Sequence, residues 1–239
     1  MYLKPFESYY MDKSALEEST LVLDSKMRAI AQALINKGVI IDDWRTLQVS
    51  GELICEEGVR IKSHLVVEGR VILRAGVTVG PYCYLDSTEI GTNTDVRAFS
   101  VLENVVVGKN CRIGPYARLR DKTEIDNGTS VGNFVELKNT QIGQGGRINH
   151  LTFLGDAFLE ENVTIGAGVI TCNYDGIKSV STTFGSGAYV GSGTQIVAPL
   201  SIGADAIIGA GSTITENVPN RILAIARTRQ QNITSTKKK

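Results

Sequence analysis

The sequence predicts an all-β protein in which six-residue repeats wind into a parallel β-helix. Two observations predict it: aliphatic or small apolar residues recur every six positions, and glycine repeatedly follows them. A period of six fits neither the 3.6-residue turn of an α-helix nor a long two-residue alternation, but it fits a short strand followed by a turn. If three hexads close one triangular coil, the stacked coils bury a continuous column of Val, Ile and Leu.

The repeat runs through most of the chain in three blocks. Their inward positions are Leu53, Val59, Leu65, Val71, Val77 and Cys83, then Val107, Ile113, Leu119, Ile125, Val131 and Leu137, and then Phe184, Val190, Ile196, Ile202, Ile208 and Ile214. Between the blocks the register slips by one residue and is recovered. Residues 53 to 218 correspond to roughly nine coils. Glycine after the inward residue, as in Ile113-Gly114, is predicted to form the corner because it adopts dihedrals that other residues avoid.

A helical arm is predicted before the repeat. Ser14 and Glu17 have the spacing of a capping box, and Gly38 suits a C-terminal cap. One apolar stripe, predicted to pack on the β-helix or on a neighbouring subunit, consists of Leu16, Leu23, Met27, Ile30 and Leu34. The predicted organisation is an N-terminal extension at 1–12, the helical arm at 13–48, the β-helix at 49–218 and a C-terminal tail at 219–239.

The repeat is interrupted between Thr171 and Phe184, which lie thirteen residues apart. The insertion contains Asn173-Tyr174-Asp175-Gly176. A polar insertion with glycine leaves a solenoid as a loop, and such loops carry binding groups.

Composition excludes several classes of function. Lys plus Arg and Asp plus Glu both number 25, and this balance argues against nucleic-acid or membrane-surface partners. The N-terminus lacks the pattern of a signal peptide, and no stretch approaches the ~20 apolar residues of a membrane span. We therefore expect a cytoplasmic protein. The four cysteines are spaced far apart and are predicted to be free thiols.

Three segments carry a family resemblance. They read VGNFVELK at 131–138, NHLTFLGDA at 149–157 and NVTIGAGVITCNYDG at 162–176. They resemble the acetyltransferase half of the bifunctional glucosamine-1-phosphate acetyltransferase and N-acetylglucosamine-1-phosphate uridyltransferase, over residues 14 to 230. The resemblance implies a left-handed β-helix, a homotrimer with sites between subunits, and acetyl transfer from acetyl-CoA without uridylyl transfer or a required metal. A separate sugar nucleotidyltransferase is left open as a further partner.

The resemblance also implies roles for single residues. His150 matches the family's proton acceptor, and Glu136 is similar to an acidic position that orients this base or holds the incoming amine. Arg120 and Lys138 match residues that hold a sugar phosphate. The positions that match the acetyl-CoA groove are Ala167, Asn173, Tyr174, Ser192, Ala210 and Arg227.

Elementary chemistry agrees with a histidine base. Acetylating a sugar amine requires a base that removes the amine proton, and an imidazole is suited to it near neutral pH. The chain has two histidines, and the other, His64, lies in a regular coil and is interpreted as structural. Cys172 raises a thioester mechanism, but a cysteine there is expected to be buried and inert, so direct transfer is favoured.

The sequence departs from the family pattern at three positions. Phe153 stands where the family has a sugar-binding Tyr, and Thr164 where it has a sugar-binding Asn. Ser179 stands where a loop Lys is expected, with Lys178 one residue earlier. The first two departures bring the identity of the amino sugar into question.

Other functions stay open. One alternative is an O- or N-acyltransferase that acts on a nucleotide-linked amino sugar for surface polysaccharide. Another is a non-enzymatic scaffold, which would need a flat repeated array, whereas Thr88, Thr94, Thr123, Thr129 and Thr164 follow no common row. A metal-dependent enzyme with three histidine ligands is excluded by a total of two histidines.

Overall fold

The protein is a parallel β-solenoid with one long helix at its N-terminal end. The structure, a computed structural model, describes residues 13–234, and it describes side chains from residue 21 onward. The α-helix spans Lys13–Ile35, and a short 3-10 helix spans Trp44–Thr46. About ten coils follow as a left-handed β-helix, which confirms the predicted fold class.

Three parallel sheets form the three faces of the solenoid, with eleven, ten and nine strands. The first face contains Ile40–Ile41, Arg60–Ile61, Thr78–Val79, Asp95–Val96, Arg112–Ile113, Ser130–Asn133, Arg147–His150, Thr164–Ile165, Tyr189–Val190, Ile207–Ile208 and Leu223–Ala224. The second contains Gln48–Val49, Val66–Glu68, Tyr84–Asp86, Val101–Glu103, Arg118–Arg120, Glu136–Lys138, Phe153–Gly155, Ile170–Cys172, Gln195–Val197 and Thr213–Ile214. The third contains Glu52–Cys55, Arg70–Leu73, Glu89–Ile90, Val106–Val107, Glu124–Ile125, Gln141–Ile142, Ala157–Leu159, Thr182–Phe184 and Leu200–Ile202.

The core is the column of aliphatic side chains that the repeat predicts. All of the inward positions named above are buried except Leu53, which is partly buried. Each buried Val, Leu or Ile contributes about 1.5–3 kcal/mol relative to an exposed one. Thr88, Thr94, Thr123 and Thr129 also lie inside the solenoid, with at most 1% of their surface exposed. They therefore form no surface array.

The expected reason for glycine after the inward residue is wrong. Among these glycines Gly114 has a positive φ, of 86°, whereas Gly166 and Gly191 do not. A Cβ built on Gly191 would lie 2.5 Å from the amide nitrogen of Ala210, and one on Gly166 would lie 2.6 Å from that of Ser192. Glycine is required here because the backbone of the next coil passes too close for any side chain.

The N-terminal helix ends as predicted at a glycine cap. Gly38 has a φ of 85°, its amide donates to the Ile35 carbonyl, and the Val39 amide donates to the Leu34 carbonyl. These two bonds form a Schellman motif. Of the predicted stripe, Met27, Ile30 and Leu34 pack against the core, whereas Leu23 is 59% exposed. Leu16 and the capping box of Ser14 and Glu17 fall outside the described side chains.

The predicted loop is present between the strands Ile170–Cys172 and Thr182–Phe184. An antiparallel bridge between Tyr174 and Ser179 closes it, and the Asp175 carboxylate accepts the amides of Ile177 and Lys178 at 2.8 Å. These bonds hold the pKa of Asp175 below its usual value.

In the described part of the chain no helix is both long and apolar enough to cross a membrane. The division into domains stays a prediction.

Candidate functional site

One corner of the solenoid brings together His150 and four of the six positions predicted for the acetyl-CoA groove. This first corner joins the first face to the second, and its backbone hydrogen bonds connect equivalent residues of successive coils. The amide of Gly168 donates to the carbonyl of His150, that of Gly193 to Ala167, and that of Gly211 to Ser192. His150, Ala167, Ser192 and Ala210 therefore lie one above another, about 4.8 Å apart. Arg227 lies on the next coil, beside Gly211.

The residues with positive φ at the first corner change from aromatic residues to glycine at Leu151, the residue that follows His150. Below it, Tyr82, Phe99, Tyr116 and Phe134 form an aromatic column, with ring centroids 4.9–5.2 Å apart and 43–55% of each side chain exposed. His64 stacks on Tyr82 at the far end. Above His150 the equivalent positions are Gly168, Gly193 and Gly211, which we call the glycine column.

Packing does not explain why the glycine column lacks side chains. A Cβ on Gly193 would meet no atom within 4 Å, and one on Gly168 or Gly211 would make only ordinary contacts at 3.8–3.9 Å. The same corner accommodates Tyr, Phe and Leu in the lower coils with the same sign of φ. Space does not exclude side chains here, and other coils carry them at this corner despite the strain of a positive φ. The bare strip therefore suits a ligand that lies directly on the backbone.

His150 stands exposed where the two columns meet. Its Nδ1 lies 3.0 Å from Oδ1 of Asn133, the residue that pairs with it in the neighbouring strand. If Nδ1 carries the proton it donates to this oxygen, and Nε2 is then free to accept a proton. Asn133 was missed in the sequence because seventeen residues separate it from His150.

Glu136 does not contact His150 in the chain. Its carboxylate accepts from Nε and Nη2 of Arg120 at 3.0 and 2.9 Å, and Nη1 of Arg120 donates to Asp121 at 2.8 Å. Lys138 lies beside Arg120 on the adjacent coil of the second face. The two predicted cations are thus neighbours, but Arg120 is already paired with two carboxylates.

Phe153 and Thr164 lie on different faces. Phe153 pairs with Glu136 on the second face, and Thr164 pairs with Arg147 on the first. One chain does not bring them into a single pocket, so a subsite formed by both positions would need a second copy of the chain.

Asn173 and Tyr174 lie in the loop rather than at the first corner. Asn173 is 8% exposed and its amide donates to the Asp156 carboxylate, whereas Tyr174 is 65% exposed. Ser179 sits opposite Tyr174 in the loop bridge, next to Lys178. A separate cavity of about 640 Å³ on the third face is lined in part by Glu124, Asp126 and Glu160, and it contains none of the predicted site residues.

No group of three or more His, Cys, Asp or Glu side chains within the described residues is arranged to hold a metal ion.

The four cysteines differ in exposure. Burial raises the pKa of Cys55 to about 12 and that of Cys83 to about 11, and it also raises the pKa of Cys111. Cys172 is partly exposed on the second face, so the expectation that it is buried is wrong. Its side chain points outward because Thr171, its neighbour, takes the inward position.

We expect one fast-reacting thiol in the native protein. Ellman's reagent should modify Cys172 within minutes, while the other three react only as the protein unfolds, because their thiolates are disfavoured and shielded. The Cys172→Ser variant is the control and should show no fast phase. A fast phase that persists in this variant would contradict the assignment.

Comparisons with known proteins agree with the fold. Residues 104–139 match the family described as bacterial transferase hexapeptide (six repeats). The solved structure of UDP-N-acetylglucosamine acyltransferase from Francisella novicida is similar with a TM-score of 0.60, at 17% identity, over 78% of this chain and 67% of that chain. At this identity the likeness shows the fold alone. The chain therefore has the fold of the hexapeptide-repeat class of β-helix proteins.

Within this class, the sequence matches proteins named bifunctional protein GlmU. Identity is 48% over 206 residues with that of Alkalilimnicola ehrlichii, covering 86% of this chain and 44% of the relative. It is 46% over 211 residues with that of Stenotrophomonas maltophilia, covering 88% and 46%. The chain is related to GlmU over the part it spans, which confirms the resemblance, and it spans somewhat less than half the length of these relatives.

Proposed function

We propose that the chain is an acetyl-CoA-dependent N-acetyltransferase that acts on an amino-sugar phosphate, glucosamine-1-phosphate or a close relative. The observation that carries the proposal is the position of His150: its imidazole stands at the end of the bare glycine column. A thioester donor extended along that column would bring its acetyl group next to a base.

The proposed chemistry follows from this arrangement. Nε2 of His150 accepts the proton of the amine as the nitrogen attacks the thioester carbon, and the thiolate of CoA leaves. The glycine column with Ala167, Ser192 and Ala210 holds the extended part of the donor, and Arg227 faces a CoA phosphate. Arg120 and Lys138 hold the sugar phosphate from the second face.

A thiol-release assay tests the proposal. The protein is incubated with acetyl-CoA and one of glucosamine-1-phosphate, glucosamine-6-phosphate or a nucleotide-linked glucosamine, and free CoA is measured. We expect release that depends on the acceptor and is fastest with glucosamine-1-phosphate. Release with none of these acceptors would refute the proposal, whereas a preference for the nucleotide-linked sugar would favour the alternative acyltransferase.

Asn133 is proposed as a positioning residue for His150. Asn133→Ala should lower kcat about three- to tenfold and leave the KM for acetyl-CoA unchanged, because one neutral hydrogen bond to the base is lost. Asn133→Asp keeps the acceptor oxygen and adds a negative charge beside the imidazolium, so the acidic limb of the pH–rate profile should move to higher pH. An unchanged profile together with full activity of both variants would remove this role.

We also propose a homotrimer in which the aromatic column lies between subunits. The column runs as an exposed apolar edge along four coils, and the separation of Phe153 from Thr164 calls for a neighbouring chain to complete the site. Phe99→Lys should reduce the trimeric mass measured by light scattering. Asn110→Lys, at an exposed positive-φ position of another corner, is the matched control and should not. A monomeric parent protein with full activity would contradict the proposal.

A further inference from the structure

The first face carries a cavity of about 290 Å³ directly beside His150. Its floor is glycine backbone, at Gly114 and Gly132, between the coils. The side chains around it that matter here are Arg97, Arg112, Ser130, Asn133, Asn149 and His150. The family resemblance implies no role for Arg97 or Arg112. Arg120 and Lys138 lie on a different face, the second.

Hydrogen-bond donors dominate the lining of this cavity. No carboxylate among the described side chains lies within 4.0 Å of the Arg112 guanidinium. Arg97 uses Nε to donate to Asp95 at 3.1 Å, and its two terminal nitrogens have no carboxylate partner among the described side chains. Oδ1 of Asn149 accepts from the Ser130 hydroxyl at 3.0 Å, so its amide nitrogen remains a donor. Such a lining is suited to an oxyanion, since guanidinium and amide groups donate to it from several directions.

The position of the cavity assigns it to the acceptor rather than to the acetyl donor. The glycine column lies on the coils that follow His150, whereas the cavity lies on the coils that precede it. A donor that extends along the glycine column therefore runs away from the cavity. This assignment rests on the proposed function, in which the amine acceptor approaches His150 from the other side.

We infer that the cavity beside His150 binds a phosphate group of the acceptor through Arg112 and Arg97. The acceptor class is then an amino sugar that presents phosphate to the first face, as a monophosphate or as the diphosphate of a nucleotide-linked sugar. A monophosphate bound here would replace the phosphate contact proposed for Arg120 and Lys138, whereas a diphosphate leaves its second phosphate available for them.

A binding measurement tests the inference without relying on acetyl transfer. The chain has only two histidines, so ¹³C labelling of histidine at Cε1 gives two ring signals, and a His64→Ala variant assigns them. Titration with inorganic pyrophosphate should shift the His150 signal saturably and leave that of His64 in place. Arg112→Gln should weaken this binding about tenfold or more, because a charged hydrogen-bonding group is lost. Arg60→Gln is the matched control: it lies in the same outward row of the first face, outside the cavity, and should change affinity less than about twofold.

The outcomes separate this inference from the proposed function. Equal affinities for the parent and Arg112→Gln, or a loss caused by Lys138→Gln alone, would overturn the inference even if acetyl transfer occurs. Arg112-dependent binding would uphold the phosphate site even if the thiol-release assay failed. With an active enzyme, kcat/KM for glucosamine-1-phosphate and for the nucleotide-linked sugar identifies the source of the phosphate: the acceptor that loses more in Arg112→Gln is the one whose phosphate occupies the cavity.

Discussion

Replacement of His150 by alanine is expected to lower kcat by about 10²- to 10⁴-fold, the contribution typical of a general base. The affinity for acetyl-CoA should remain near that of the parent protein, because the imidazole lies at the end of the glycine column and not along it. Steady-state kinetics with saturating acceptor, together with calorimetric titration of CoA, measure the two quantities separately.

His64→Ala provides the control for this loss. His64 occupies the same corner five coils away, about 24 Å from His150. Its removal should leave kcat within about twofold of the parent value, because it lies far from the reacting groups. Near-normal turnover of His150→Ala, or an equal loss in both variants, would show that His150 is not the base.

The second large effect is expected at the glycine column. Gly193→Leu should raise the KM for acetyl-CoA roughly tenfold to a hundredfold, because the new side chain would fill the strip on which the donor lies. The kcat at saturating donor should change less, since His150 and Asn133 are untouched.

Gly128 offers a close match for Gly193. Both have a φ near 70°, and a Cβ on either would meet no atom within 4 Å, but Gly128 lies at the corner that joins the third face to the first. Gly128→Leu carries the same backbone strain of about 1–2 kcal/mol, so the two variants should melt at similar temperatures. If both variants bind acetyl-CoA equally well, the glycine column is not the donor site.

The hexapeptide period predicts the core of this protein but not its corners. Val59, Ile113 and Phe184 could be placed inside because every coil repeats the same inward position, and one pattern decides them all. Leu53 is only partly buried because it lies in the outermost strand of the third face, where no further coil covers it.

The surroundings of His150 depend on pairing between coils. That Asn133 pairs with His150 and that Arg112 lines the same cavity follows only after each coil has been assigned its length, and the register slips make those lengths unequal. The sequence motifs identify His150 itself. They do not show that Glu136 pairs with Arg120 on the adjacent coil rather than with His150, because the repeat period does not determine which side chains form an ion pair. The loop could be predicted as an interruption, but its contacts with Asp156 could not.

The N-terminal helix closes one end of the stack of coils. Its residues Met27, Ala31 and Leu34 are buried at the end of the solenoid where the strands Ile40–Ile41 and Gln48–Val49 are outermost. A parallel stack has no geometric reason to stop, since each coil offers the next an apolar interior and a row of backbone groups to pair with. The helix covers the interior of the first coil with a surface that cannot be extended by another strand. We therefore expect the helix to prevent end-to-end polymerisation of the chain into a fibre.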